Sequence, residues 1–202
     1  MSRVLGLAAA ALTVCVGCSR DPLDVPCPAI IEGALVITEL RGSQSGTDGY
    51  GEWIELYNAS GGTIDLLGLE VKLTKIDGSS TEELLVRDPI AVAANSYLVL
   101  GRQTAGLEPD HVDYGYVADI DKSLFDPAAI QVYSCGQLID QVVYRGLPSR
   151  GTFGLDGAID PPTAAANDDE SAWCDDITED AQSDTMGLRG TPREPNQICP
   201  VL

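Results

Sequence analysis

The feature of this sequence that most constrains its fold is a series of short segments in which apolar and polar residues alternate. In the segment 52–58, Ile54 and Leu56 share one face, and Trp53 and Glu55 share the other. A period of two residues is the pattern of a β-strand with one face in a core. Each such segment is therefore predicted to be a strand.

Seven or eight segments of this kind follow one another at nearly regular spacing, separated by turns rich in Gly, Asn and Asp. No amphipathic helix of useful length is predicted between them. The pattern indicates an all-β protein, an antiparallel β-sandwich. The predicted strands lie within residues 34–40, 52–58, 63–74, 81–87, 95–102 and 129–146, and the last range holds two strands on either side of Cys135 and Gly136.

The N-terminus has the pattern of an export signal. Arg3 precedes an apolar run over residues 4–16, which is shorter than the about 20 residues of a membrane-spanning helix. The end of the run resembles a bacterial lipobox, in which a small residue precedes the cysteine that receives a lipid. We therefore predict a signal peptide over residues 1–17, cleavage after Gly17 and lipidation of Cys18.

A lipid on Cys18 would anchor the protein in a membrane of the cell envelope. Ser19, directly after the cysteine, resembles the signal for transfer to an outer membrane. The expected location is therefore that of an outer-membrane lipoprotein, either periplasmic or surface-exposed. The alternative is an ordinary cleaved signal peptide and a secreted protein.

The composition divides the rest of the chain into three regions. Residues 18–32 form the lipidated N-terminus and a Pro-rich spacer, and residues 33–150 hold the predicted sandwich. Residues 151–202 are acidic and rich in turn residues, and they are predicted to form an extension packed on the sandwich.

The cysteines outside the signal peptide and the lipidation site indicate an oxidising compartment. They are Cys27, Cys135, Cys174 and Cys199. An even number of cysteines in an exported chain predicts two disulfides, and three connectivities are open. The spacing of these residues does not match a zinc site.

The net charge limits the partners. The chain has 12 basic and 31 acidic residues, which gives a net charge of −19 at pH 7. Such a chain repels the phosphate backbone of nucleic acids, so no nucleic-acid partner is expected.

Glu52 and Glu55 are the carboxylates that most resemble a catalytic pair. Because they are three residues apart on a strand, they are predicted to point to opposite faces, whereas the two carboxylates of a glycosidase flank one bond in the same cleft. A structural role is therefore predicted for both. Glu39 has the same strand parity as Leu35 and Ile37, so we expect it on their face, partly buried and hydrogen-bonded.

No catalytic residue is predicted, and the chain is not expected to be an enzyme. His111 is the single histidine, and it lies in a loop-like stretch that predicts a surface position. No EF-hand spacing is present, so neither a metal site nor a cofactor is predicted, and a calcium site in the acidic tail is the alternative. The candidate calcium ligands are Asp156, Asp160, Asp168, Asp169, Glu170, Asp175 and Asp176.

Three segments of the chain together resemble the lamin-tail domain family. The family pattern joins an ITE strand, a polar insertion, an EWIEL strand followed by Asn, and a DLSGW-like strand. The resemblance covers about residues 33–145, and Leu69 stands where the family often has Trp. The matching residues are Ile37, Thr38, Glu39, Glu52, Trp53, Ile54, Glu55, Leu56, Asn58, Asp65, Leu66 and Gly68.

The tail is similar to a C-terminal segment of exported bacterial members of that family. Arg193 stands where those members commonly have Gly. This resemblance implies a disulfide between Cys174 and Cys199, which leaves Cys27 to pair with Cys135. The matching residues are Leu155, Asp156, Asn167, Asp168, Trp173, Cys174, Gly190, Thr191, Pro192, Pro195, Asn196 and Cys199.

The resemblance implies an immunoglobulin-like β-sandwich of the lamin-tail type with a disulfide-stapled, loop-rich C-terminal segment. The nuclear role of lamins does not transfer with the fold. We expect a non-catalytic binding module whose loops 41–51 and 103–128 recognise an envelope or extracellular protein or a glycan. The alternative is an accessory domain of an extracellular hydrolase, or a cryptic hydrolase, that depends on calcium.

Overall fold

Almost all of the regular secondary structure in the described part of the protein is short β-strands. The computed structural model describes residues 27–46, 49–178 and 187–200. A four-residue helix, α1 (Ala164–Asn167), and a 3-10 turn at Glu170–Ala172 precede the last strand. The strands are β1 (Leu35–Arg41), β2 (Trp53–Asn58), β3 (Ile64–Asp65), β4 (Glu70–Lys75), β5 (Thr81–Leu85), β6 (Ala91–Val92), β7 (Tyr97–Gly101), β8 (Tyr114–Gly115), β9 (Ala128–Ser134), β10 (Gln137–Tyr144), β11 (Thr152–Leu155) and β12 (Trp173–Asp176).

Two main sheets face each other, as the strand pattern predicts. The larger sheet has the strand order β12-β11-β1-β2-β7-β8 and is antiparallel except for the short β8, which runs parallel to β7. The smaller sheet has the order β10-β9-β4-β5 and is antiparallel throughout. A pair of two-residue strands, β3 and β6, lies beside them. The fold is therefore an all-β sandwich.

The core lies between the two sheets and follows the predicted alternation. Ile54 and Leu56 of β2 belong to it, whereas Trp53 belongs to a second apolar cluster with Val99 and Leu188. Because Trp53 and Ile54 are neighbours on one strand, the second cluster lies on the opposite face of the larger sheet, which we call its outer face. That sheet is thus buried on both sides.

A β-bulge in β1 changes the face on which Glu39 lies. The register with β2 shifts between Ile37 and Glu39, so that Ile37 and Leu40 both enter the core. Glu39 then lies opposite Glu55, on the outer face. Glu39 is buried as expected, but the expectation that it shares a face with Leu35 and Ile37 is wrong, because the extra residue of the bulge reverses the alternation.

The chain after residue 150 is an integral part of the sandwich. Strand β11 pairs with β1, and β12 pairs with β11, so two of the six strands of the larger sheet come from the region predicted as a packed extension. The segment 187–200 then contacts the outer face. The sandwich therefore does not end at residue 150.

Two disulfides hold the ends of the described chain. Cys27 is bonded to Cys135 and Cys174 to Cys199, with Cα–Cα distances of 5.4 and 5.8 Å. This is the pairing that the resemblance implies. Trp173 stacks on Phe153 with ring centroids 5.0 Å apart, which packs β12 against β11 beside the second bridge.

Candidate functional site

The two carboxylates that face each other in the structure are Glu39 and Glu55. They are direct cross-strand partners on β1 and β2, and both side chains are fully buried. Glu39 accepts hydrogen bonds from Thr152 Oγ1 at 2.7 Å, from the Thr191 amide at 2.9 Å and from Trp53 Nε1 at 3.0 Å. These donors come from strand β11, from the tail and from strand β2.

Glu55 is satisfied in the same way. Thr38 Oγ1 donates to one of its oxygens at 2.7 Å, and the Arg193 amide donates to the other at 2.6 Å. Burial raises the pKa of both glutamates, and the charge of Glu39 contributes to raising the pKa of Glu55. Their hydrogen bonds oppose these shifts. The two carboxylates lie beneath the tail and hold it to the sheet.

The segment 187–200 contributes the other half of this network. Asn196 Nδ2 donates to the carbonyl oxygens of Thr38 at 2.8 Å and Leu155 at 2.9 Å, so it bridges the bulged strand and β11. Gly190 has a φ of +96°, and a Cβ atom there would lie 2.8 Å from Glu39 Oε1. Only glycine fits this close approach without displacing its neighbours.

Arg193 adopts a left-handed conformation with a φ of +71°. This explains why a glycine is suited to the position, since glycine reaches that region without strain. In this chain the Arg193 side chain adds an ion pair of 3.4 Å with Asp113, and its guanidinium donates to the Asp110 carbonyl at 2.8 Å. The arginine therefore connects the tail to the loop after β7.

A second buried polar group joins the two sheets, and the residue analysis of the sequence missed it. Asp140 of β10 accepts from the Ile37 amide and from Asn167 Nδ2, both at 2.7 Å, while Asn167 also donates to the Ile37 carbonyl. Burial raises the pKa of Asp140 to about 6. Asn167 belongs to the tail motif of the resemblance, which was the only signal of this contact.

Glu52 lies on the opposite side of the strand from Glu55, as predicted, and organises the loops at one end of the sandwich. Its carboxylate accepts from Ser43 Oγ at 2.8 Å and from the Leu124 amide at 2.7 Å, and it pairs with Arg102 at 3.3 Å. These contacts tie three loop segments to one another. A further hydrogen bond of 3.1 Å joins Ser43 to Ser123.

His111 is buried rather than at the surface, contrary to the expectation from its loop-like surroundings. Its side chain is 8% exposed, its ring centroid lies 5.3 Å from that of Trp53, and its Nε2 is 3.0 Å from the Tyr50 carbonyl oxygen. The loop around it folds back onto the outer face of the larger sheet, where the adjacent Val112 packs with Trp53. These contacts are structural.

The acidic residues of the tail are dispersed among local structural roles. Asp156 accepts from the amides of Ala158 and Cys199, and Asp169 caps the 3-10 turn by accepting from the Ser171 amide. Across residues 27–46, 49–178 and 187–200, no three side chains of His, Cys, Asp or Glu come together in a way that could hold a metal ion.

The two ends of the sandwich differ in what they present. We call the first the Cys27 end, which comprises residues 27–34 and the turn 59–63; the second is the loop end, which comprises residues 42–46, 49–52 and 102–127. Strand β1 starts at the Cys27 end and finishes at the loop end, where Arg41 pairs with Trp53 and Trp53 with Gly101. Both loops predicted to carry recognition therefore start from the loop end, and the part of the longer one around His111 and Val112 folds back onto the outer face.

The predicted lipidation site Cys18 and the signal peptide lie outside the described residues. Within the described part of the chain, no helix has the length and hydropathy needed to cross a bilayer. Comparison with protein-family models and with curated proteins found no match to this chain.

Proposed function

We propose that the protein is a lipid-anchored module of the cell envelope that belongs to the lamin-tail type and binds an extracellular or envelope partner through its loop end, without catalysis. The lipid would be carried by Cys18, and the location would be an outer membrane. The observation that carries the proposal is the position of the two predicted recognition loops at the end of the sandwich opposite Cys27. A partner is thus met on the side away from the anchor.

The loop end is built to present a fixed surface. Glu52 connects Ser43, Arg102 and Leu124, so the loops share one buried carboxylate. The turn 104–107 protrudes from this base, and Leu107 is 75% exposed. A large apolar side chain held out by an ordered turn is suited to enter a pocket on a partner.

The motif residues of the resemblance support a structural reading of the carboxylates. Glu39 and Glu55, which the family pattern singles out, accept donors from Thr152, Thr191 and Arg193. Groups that are buried and saturated in this way have no route to a substrate, so they support a binding module rather than a hydrolase.

The test uses intact cells that express the full-length protein. Cells are crosslinked, the protein is captured, and its partners are identified by mass spectrometry, together with the mass of the mature N-terminus. We expect lipid on Cys18 and one saturable partner, whose yield falls in Leu107→Ser. The matched control is Ile198→Ser, because Ile198 is 70% exposed in the tail, outside the loop end.

The loop 103–128 is not replaced as a whole, because Tyr114, Tyr116 and Leu124 within it are buried in the core. A partner lost equally in both variants, or none above the envelope background, would overturn the binding role of the loop end. Turnover of a glycan or nucleic-acid substrate that a chelator abolishes would overturn the absence of catalysis.

A further inference from the structure

The Cys27 end contains an open apolar groove with a volume of about 400 Å³. One wall is the segment that follows Cys27, including Ala29 and Ile31, and the other is the turn and strand that include Ile64. Ile30 and Ala34 are buried and form the floor. The groove therefore joins the core of the sandwich to an exposed apolar rim.

Ile31 is held outward by ordered backbone. It is 71% exposed, although its neighbour Ile30 is 7% exposed. Hydrogen bonds from the Gly33 amide to the Ile139 carbonyl at 2.9 Å and from the Ala34 amide to the Ile31 carbonyl at 3.1 Å fix the segment on both sides. The disulfide of Cys27 with Cys135 fixes its start. A fixed exposed isoleucine beside an apolar groove is a feature of a contact surface.

The chain outside the described residues sets the distance between this groove and a membrane. Cys18 precedes Cys27 by nine residues in the sequence. Nine residues reach about 30 Å at full extension. A lipid on Cys18 would therefore hold the groove close to the bilayer surface, so this step rests on the proposed lipid anchor.

The charges around the groove select the kind of lipid. Asp65 lines the groove and is exposed, Glu32 next to Ile31 is also exposed, and no Lys or Arg occurs in residues 27–36 or 59–66. Carboxylates are repelled by anionic headgroups, whereas zwitterionic headgroups have no net charge and do not repel them. An apolar groove with an acidic rim thus matches a zwitterionic lipid surface.

We propose that the groove at the Cys27 end is a membrane-contact surface for zwitterionic lipid, in which the exposed Ile31 enters the interfacial region of the bilayer beside the half-buried Ile64. This contact would add to the lipid anchor and orient the domain. The loop end would then point away from the membrane, which is the orientation that its proposed binding role requires.

The experiment compares two single tryptophan additions in the full-length, lipidated protein. Ile31→Trp places a tryptophan beside the groove, and Leu107→Trp places one at the loop end with nearly the same exposure, 71% against 75% in the native residues. The native Trp53 and Trp173 are buried and provide a constant background. The protein is added to vesicles of phosphatidylethanolamine and phosphatidylcholine that carry a quencher on the upper acyl chain.

We expect the added tryptophan of Ile31→Trp to lose emission and shift to the blue, and that of Leu107→Trp to be unchanged. Replacing half of the zwitterionic lipid by phosphatidylglycerol is expected to restore the emission of Ile31→Trp, because the acidic rim is repelled, while co-sedimentation persists through the anchor. Equal unfolding midpoints of the two variants and the wild type confirm that the additions preserve the fold.

The outcomes separate this inference from the proposed function. Co-sedimentation of the wild type that is lost in Cys18→Ser supports the anchor, and its absence in the wild type overturns both proposals before any quenching is measured. Co-sedimentation of Ile31→Trp without quenching of its added tryptophan overturns only the contact surface. Equal quenching in Ile31→Trp and Leu107→Trp overturns the orientation and with it the inference.

Discussion

The outer face of the larger sheet is covered by other parts of the chain, whereas the outer face of the smaller sheet is open to solvent. On the larger sheet, every residue of β1 and β2 is buried, because the tail and the loop around His111 cover the outer face. On the smaller sheet, buried residues alternate with half-buried ones along β9, so its outer face meets solvent. The same strand chemistry thus produces a closed interface in one sheet and an open surface in the other.

The difference is clearest when one glutamate from each outer face is compared. Glu39 on the covered face is fully buried and accepts three strong hydrogen bonds from other parts of the chain. Glu83 on the open face has a side chain 63% exposed and an ion pair of 3.0 Å with Lys72. A carboxylate on the covered face acts as a scaffold for the tail, whereas one on the open face stays solvated.

The largest difference between the two faces is expected when a glutamate is removed from each. We expect Glu39→Leu to lower the free energy of unfolding by about 3–5 kcal/mol, because the donors of Trp53, Thr152 and Thr191 lose their acceptor in a buried place. Glu83→Leu is the matched control and is expected to change it by less than about 1 kcal/mol. Chemical denaturation measures both, and equal effects would contradict a structural role for the covered face.

Opening the second disulfide should loosen the covered face selectively. The bridge between Cys174 and Cys199 spans 25 residues, and its loss in a double Ser variant is expected to cost about 3 kcal/mol. Amide exchange at Thr191 and Arg193 should then rise, since both amides donate to the buried glutamates. A double Ser variant of Cys27 and Cys135 is the control; the idea fails if it exposes these two amides equally.

The sequence predicts the open sheet better than the covered one. Strands β4 and β9 alternate cleanly, so their existence and faces, and the turn at Cys135, follow from period-two patterning. Strand β10 has a register shift between Leu138 and Asp140, which is why the buried position of Asp140 does not follow from the pattern. The bulge at Thr38 depends on how β1 pairs with a distant strand. Alternation gives no warning of it, which is why the pattern predicts the wrong face for Glu39.

The same limit applies to the tail. Strands β11 and β12 are four residues each and lie in acidic, turn-rich sequence, so local composition favours loops there. The pairing of β11 with β1, which brings β12 into the sheet beside β11, is a long-range contact that only the fold supplies. The resemblance identifies Thr191 and Asn196 as motif residues. It does not predict their hydrogen-bond partners, which the structure shows to be Glu39, Thr38 and Leu155.

A pH titration sharpens the contrast between buried and solvated carboxylates. The pKa of Asp140 is raised from 3.8 to about 6 in the folded protein, so between these values the folded state binds more protons than the unfolded one. The contribution of Asp140 to stability is therefore present below about pH 4 and lost as the pH rises through about 6. We expect the free energy of unfolding to rise by about 1–3 kcal/mol between pH 7 and 4.5.

The control for this titration is Asp140→Asn, which keeps an acceptor for the Ile37 amide and for Asn167 but cannot ionise. Glu39 and Glu55 also have raised pKa values, so the variant should reduce the slope of stability against pH rather than abolish it. If the unfolding free energy of Asp140→Asn, from thermal or chemical unfolding, depends on pH as steeply as that of the wild type, the titration of Asp140 does not cause the pH dependence.

The smallest effect is expected at Arg193, where the covered face meets solvent. Arg193→Gly should relieve the left-handed backbone, which costs about 1–2 kcal/mol in a residue with a Cβ atom. The greater freedom of glycine in the unfolded chain offsets about 0.5–1 kcal/mol of this gain. The variant also loses an ion pair with Asp113 that is half exposed and worth under about 1 kcal/mol. The amide bond to Glu55 is retained. A net change within about 1 kcal/mol is therefore expected.

Arg193→Val loses the same ion pair but places a β-branched residue at this φ, so it should be clearly less stable than Arg193→Gly. Equal stability of the two variants in chemical denaturation would show that the backbone conformation of the turn is not what distinguishes this position.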